Sequence, residues 1–370
     1  MLYSILVFVL VLSVLVLVHE LGHFLTARKV GIAVEEFGFG FPPRAWGIKR
    51  GRTLYSLNWI PLGGFVRIKG ELGEHAGDRD SYASKSRWQK AAVLVAGVVM
   101  NFLLAWALLT VGYLAGLPQV VDETPVGARV ASPQIIIASV LPKTPAAESG
   151  LEAGDVIRSV GERPVSEIEA FREYTASHAD QAVLLTVERG GDLKQIAVVP
   201  VLLTETGRPG IGVSLMKTGL VSYPWYWAPV QGAAATWSFT SDILSAFGSL
   251  LRDLIWRRPV SVDLSGPVGI AVVTSEVAKL GWRHVLQFTA LLSVNLAIVN
   301  VLPFPALDGG RLMFLLFEAI RRRPVNRFVE AWAHNIGFAV LILIVVVVTY
   351  RDVLRFGGSF FKSVGSLFGL

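Results

Sequence analysis

Leu2 to Val18 carries only two plainly polar side chains, Ser4 and Ser13, and apolar character resumes at Phe24 and Leu25 before Arg28 and Lys29. A helix needs about 20 apolar residues to cross a bilayer, so the pattern predicts a first span from roughly Leu2 to Ala27. Three further stretches meet that length. Ala91 to Leu117 is interrupted only by Asn101 among strongly polar types; about Val285 to Ile320 is broken in its middle; about Ala331 to Tyr350 ends in Ile344 and four valines. Between the first two spans, Phe65, Arg67 and Lys69 alternate partly with Val66 and Ile68 after the pair Gly63-Gly64, which predicts short strands lying against the membrane. From Ala128 to Leu203 strand and helix signals mix. The pattern predicts a strand over Gln134–Val140, a helical turn from Thr144 to a glycine stop at Gly150, a helix over Ser166–Ser177, and strands over Val183–Glu188 and Gln195–Val201. Ile243, Leu244, Phe247, Leu250, Leu251, Leu254 and Ile255 recur at helical spacing near Trp225, Tyr226, Trp227, Trp237 and Trp256, which predicts an amphipathic helix in the membrane interface.

Composition narrows the class. Of 370 residues, 53% are hydrophobic and only 17% charged, which fits a polytopic membrane protein with some soluble mass. The net charge of +6 does not point to nucleic acid, because the basic residues crowd beside apolar spans, from Arg28 to Lys90 and from Arg321 to Arg327. The positive-inside rule then places those two loops in the cytoplasm, with both termini and the region from 118 to about 283 outside. Lys279 and Arg283 run mildly against that assignment. There is no cysteine, so a zinc ion in this chain must be held by His, Asp or Glu.

The chemistry sits inside the first span, at His19-Glu20-Leu21-Gly22-His23. Residues i and i+4 share a helix face, so both imidazoles can grip one metal ion with Glu20 beside it. Such a spacing also arises by chance on solvated helix faces. Here, however, it lies in hydrocarbon, where ionisable groups are costly and function is the default reading. A cleaved signal peptide is not expected here, because Met1-Leu2-Tyr3 carries no basic residue and the histidine stretch is no apolar core. Two histidines leave a catalytic zinc one protein ligand short of three. The broken third span supplies a candidate at Asp308, where Pro303, Pro305, Gly309 and Gly310 interrupt the helix. Irregular backbone at membrane depth is tolerated only where it is buried in protein or lines a cavity.

Three blocks of residues carry a family resemblance. They are His-Glu-Leu-Gly-His-Phe in the first span, Asn300-x-x-Pro-x-Pro-x-Leu-Asp-Gly-Gly310 in the third, and Ser265-Gly-Pro-Val-Gly-Ile270 before it. Together with Pro61-Leu-Gly-Gly-Phe-Val66 and the Asn101 region, they resemble the bacterial site-2 protease family, of the regulator of sigma-E protease type. Pro145 to Ile157, followed by Val160 to Val165, resembles a bacterial PDZ domain; some members of the family carry two in tandem, and this chain has room for one.

The resemblance implies a polytopic α-helical membrane protein with about four transmembrane helices, a membrane-associated β-hairpin or sheet, and an inserted α+β PDZ-like domain. Its expected divisions are a first catalytic half at 1–117, a linker at 118–127, the PDZ-like domain at 128–204, a second linker with the interfacial helix at 205–283, and a second catalytic half at 284–370. It further implies Zn2+ held by His19, His23 and Asp308, with Glu20 as general base. Asn300 and Asn295 would bind the substrate backbone, with Gly63 and Gly64 in the strands that hold it. The expected activity is cleavage of single-span membrane proteins, already shortened outside, by a multi-pass enzyme of the bacterial inner membrane. Whether the PDZ-like groove binds a peptide C-terminus or only blocks access, the residues leave open.

Overall fold

The computed structural model describes residues 2–71, 73–121, 124–203, 207–256, 258, 266–323 and 325–365. Ser265, part of the motif before the third span, the stretch 259–264 of the second expected linker, and the tail 366–370 lie outside the described residues. The chain divides into two compact units, Val111–Ala228 and the remainder on either side of it.

The larger unit begins with α1 (Leu2–Lys29), whose length follows from its near-continuous apolar run and whose last turn carries Arg28 and Lys29. Two long strands follow, β1 (Val34–Arg50) and β2 (Thr53–Ile68). Both fold back on themselves: Phe37 opposes Val66 on one side and Tyr55 on the other, while Trp46 opposes Leu57. The result is a small antiparallel sheet in the order 64–68, 34–39, 53–58, 44–50. Ser13 Oγ donates to Pro61 O at 2.8 Å, tying the far turn of β2 to α1. A short 3-10 turn, Tyr82–Ser84, leads into α2 (Arg87–Ala115). Phe24, Ala27, Ile32, Val34, Ile68 and Val93 form one buried cluster that fixes α1, the sheet and α2 together.

The inserted unit holds β3 (Leu117–Val120), β4 (Arg129–Val140), α3 (Pro145–Glu148), β5 (Val156–Val160), β6 (Arg163–Pro164), α4 (Ile168–Ser177), β7 (Val183–Arg189), β8 (Asp192–Val198), β9 (Val201–Leu203), β10 (Arg208–Gly210) and β11 (Val213–Ser222). Its main sheet runs β3-β11-β4-β5-β7-β8, with β6 on β5, and β9 and β10 form a separate pair. Ile135, Ile137, Ile157, Phe171, Leu185 and Val187 dominate its core. The expected limits of 128–204 are too narrow for this sheet. Leu117–Val120 and Val213–Ser222, mostly expected as linker, pair with each other, and Val213–Ser222 also pairs with β4, which buries Leu117 and Val221. Asp155, almost wholly buried, accepts two hydrogen bonds from Arg189, at 2.6 and 2.7 Å, and one from the Glu152 N–H at 3.0 Å.

The chain then returns to the larger unit with α5 (Ala228–Ile255), a helix twice as long as its apolar periodicity marked, carrying exposed Trp237, Leu244, Leu251 and Leu254. No predicted element covers α6 (Pro267–Lys279), a short helix between α5 and the third span. Its N-terminus is capped from a distance: Asp352 Oδ2 accepts from the N–H groups of Gly266, at 2.9 Å, and Gly269, at 2.7 Å. Gly281, at φ 103°, turns the chain into α7 (Trp282–Val301), and a break at 302–307 separates α7 from α8 (Asp308–Arg321). The last helix is α9 (Arg327–Gly365). Among the described residues, four helices are long and apolar enough to cross a membrane: α1, α2, α7 and α9. Val7, Val11, Leu15 and Ala278 bury together against Leu104, Val285, Leu292 and Leu296, so α1 is packed by α2, α6 and α7.

Candidate active site

His19 and His23 are buried one turn apart on α1, and their Nε2 atoms lie 3.1 Å from each other. Asp308 opens α8, and its Oδ2 lies 3.1 Å from His19 Nε2 and 3.2 Å from His23 Nε2. The two motifs meet although 285 positions separate His23 from Asp308. The break in the third span explains how. Pro303 and Pro305 lack backbone donors, and Gly309 and Gly310 sit against the carbonyl oxygens of Val301, Leu302 and Phe304, where a Cβ would overlap them. His334 of α9 accepts from the Ala306 N–H at 2.9 Å, at a residue with φ 84°, and Gly337 packs on the Pro305 carbonyl. The loop that presents Asp308 is thus held from α7, α8 and α9.

The donor set fits zinc. Three atoms that can each act as a ligand form a nearly equilateral triangle, with all of them within 4.8 Å of one another. A tetrahedral site with bonds of about 2.0–2.1 Å separates its donors by about 3.3 Å, close to the sides seen here. The outer nitrogens have partners too. His23 Nδ1 lies 2.8 Å from Val93 O, and His19 Nδ1 lies 3.3 Å from the amide of the fully buried Asn101. Such outer contacts fix the tautomer and orientation of a ligating imidazole. α2 comes this close because it is notched: a Cβ on Gly97 would lie 2.6 Å from His23 Nε2 and 2.7 Å from His19 Cε1. Gly22 notches α1 in return, against Ala96 O.

A cavity of about 360 Å³ opens on the triad, lined also by Glu20, Phe65, Val66 and Asn300. Glu20 Oε2 accepts from the Val66 N–H at 3.1 Å, so the carboxylate is tethered to the edge of the 64–68 strand. Asn300 Nδ2 is 3.5 Å from His19 Nε2, at the mouth of the triad. Asn295 lies outside the lining of this cavity, as do Gly63 and Gly64. The two glycines are explained by packing: Gly63, at φ 80°, would carry a Cβ 3.1 Å from Val16, and one on Gly64 would lie 2.9 Å from Gly38 O. An ion pair between Arg311 and Glu71 closes one wall beside Tyr82, whose phenol is pushed above its ordinary range by burial.

The whole arrangement falls within one family description, Peptidase family M50, which the chain matches over residues 7–344. The chain belongs to peptidase family M50. It is also similar over most of its length to curated zinc metalloproteases. It is 30% identical over 443 residues to the zinc metalloprotease RasP of Oceanobacillus iheyensis, covering 95% of this chain and 99% of that one. It is 29% identical over 438 residues to the regulator of sigma-W protease RasP of Bacillus subtilis, covering 95% and 98%. Among solved structures, the PDZ domain of the SdrC-like protein from Listeria monocytogenes matches 24% of this M50 peptidase and 92% of itself, at 26% identity and a TM-score of 0.22. Asn101 and Gly97 are the site residues that sequence reading did not assign a role. A lone polar residue and a glycine four positions before it, within an apolar span, were the available signal.

Proposed function

We propose that this M50 peptidase hydrolyses peptide bonds within the membrane-spanning segments of single-span proteins already shortened on the outer side, such as anti-sigma factors or remnant signal peptides. It is a zinc metalloprotease of the membrane. The observation that carries the finer reading is the convergence of His19, His23 and Asp308 from two apolar elements, with Glu20 in the same cavity. Zinc held by these three residues supplies a Lewis acid that polarises the scissile carbonyl and acidifies the attacking water.

The chain's own residues do the rest. Glu20 takes the water proton on a carboxylate oxygen and returns it to the leaving amine. Asn300 offers its amide N–H to the substrate backbone at the mouth of the triad. A helical substrate hides its carbonyls in its own hydrogen bonds, so it must unwind before cleavage. The 64–68 strand, paired on one side with 34–39 and facing Glu20 on the other, offers edge pairing that replaces the lost bonds. Asn295 lies outside that cavity and has no part in this step, and Gly63-Gly64 let the strand reach the helix that carries the histidines.

Placement follows the charge pattern. His23 precedes Arg28 by five residues, about 7 Å along a helix, so the metal lies toward the cytoplasmic face of a multi-pass inner-membrane enzyme. The inserted PDZ-like unit then lies outside, where it either filters substrates by size or docks a newly made C-terminus, and α5 rests in the interface through its exposed tryptophan and leucines. The test is co-expression of a tagged single-span reporter with the protein or its Glu20→Gln variant. Cleavage by the parent, lost by about 10²–10⁴-fold in the variant while zinc is retained by both, is the expected result. Equal cleavage by both would overturn the assignment of Glu20, and no cleavage by either would overturn the reading of the substrate.

A further inference from the structure

Asn101 is fully buried in α2, and its surroundings are unusual for an amide. Its backbone carbonyl accepts from Ser293 Oγ at 2.8 Å, which fixes this turn of α2 against α7. Its Nδ2 faces His19 Nδ1 at 3.3 Å, while its Oδ1 is buried without a hydrogen-bond partner. A buried acceptor left unpaired costs about 1–3 kcal/mol, so a fully enclosed asparagine in that state calls for a reason.

The two tautomers of His19 supply it. When the ring proton is on Nε2, it is shared with Asp308 at 3.1 Å, Nδ1 is an acceptor, and the amide N–H facing it is the right partner. When Nε2 gives its lone pair to a metal, the proton must be on Nδ1, which becomes a donor. An amide N–H is then the wrong partner, and a half-turn of the amide brings the unpaired Oδ1 to face it. Oxygen and nitrogen of an amide have nearly the same shape, so the half-turn fits the same enclosure. Leucine matches the shape without the polar atoms; aspartate supplies only the acceptor. Asparagine alone of these serves both tautomers.

We propose that Asn101 is a positioning residue for the metal site: its Oδ1 accepts the His19 Nδ1–H in the loaded enzyme and so aims His19 Nε2 at the metal, and its N–H serves the empty site. This rests on the zinc reading of the triad. Second-sphere partners of this kind change metal affinity by about 10–100-fold when removed.

The experiment is zinc affinity of the full-length protein in detergent, by competition with a chelator, for the parent, Asn101→Leu and Asn101→Asp, with thermal melting of each in the metal-free state. The expected result is that Asn101→Leu binds zinc at least about tenfold more weakly, while Asn101→Asp, which keeps the acceptor, stays within about tenfold of the parent. Parent-like affinity in Asn101→Leu, or a loss in Asn101→Asp as large as in Asn101→Leu, would overturn the proposal. If Asn101→Leu does not fold, Asn101→Asp decides alone: retention supports the role and loss overturns it. A parent that takes up no zinc would instead defeat the zinc reading itself, so the two failures are told apart.

Discussion

At the scale of single residues, the site depends as much on side chains that are missing as on those present. Gly97 makes room for both imidazoles, and a Cβ there would lie 2.6–2.8 Å from atoms of His19 and His23. Contacts that short must be relieved by moving the rings, since the α1 and α2 backbones are themselves in contact at Gly22 and Ala96. Gly97→Ala is therefore expected to lower zinc affinity by at least about tenfold with little change in helical content, read by chelator competition and circular dichroism. Unchanged affinity would mean that the rings have slack the geometry does not suggest. His19, Glu20 and His23 stand out in the sequence because their spacing is local and their chemistry is out of place in an apolar span, and Asp308 stands out because it sits at a proline and glycine break in another. Gly97 and Asn101 were not, since a glycine and an amide in a hydrophobic helix are more often packing features, and only the approach of α2 to His19 and His23 gives them meaning.

Among the elements, the long apolar spans and the break at Pro303–Pro305 could be read directly, because length and the missing proline donors are properties of the chain itself. α6 could not. Its 13 residues are too few to cross a bilayer, and its N-terminus is satisfied by Asp352, more than 80 positions away. The double pairing of β1 and β2 was only half visible, as strands near Phe65–Lys69, since Phe37 meets both Tyr55 and Val66 through reversals no alternation pattern records. The edge strand is where an element-level prediction belongs. Val66→Pro removes the N–H that holds Glu20 and interrupts the edge facing the cavity. Turnover of a membrane reporter should fall at least about tenfold while bound zinc stays at the parent level. Parent-like turnover would refute both the tether and edge pairing.

For the whole molecule, the stabilities of the two units are expected to respond to different conditions. In the inserted unit, burial alone would raise the Asp155 carboxyl, but the Arg189 guanidinium and the Glu152 N–H outweigh it and hold it below the ordinary aspartate range. A carboxyl depressed on folding contributes stability that is present above its unfolded pKa of about 4 and is lost as pH falls through its lower folded value. Arg189→Ala should thus destabilise residues 111–228 by about 1–3 kcal/mol at neutral pH, and the deficit relative to the parent should shrink below about pH 4. Hydrogen exchange of the full chain at the two pH values measures this; a deficit that does not change with pH would contradict it. The inserted unit was legible as α+β from its local turns and helices, whereas its true extent rests on β3 and β11, which pair residues about 100 positions apart.

The proposed function rests on one zinc ion held by side chains of α1 and α8, and X-ray absorption at the zinc edge of the purified full-length protein tests that most directly. The account predicts one zinc per chain with a nitrogen and oxygen shell at about 2.0–2.1 Å, including two imidazoles, and loss of the ordered shell in Asp308→Ala. A zinc shell with fewer than two imidazoles, or one indifferent to Asp308, would contradict it.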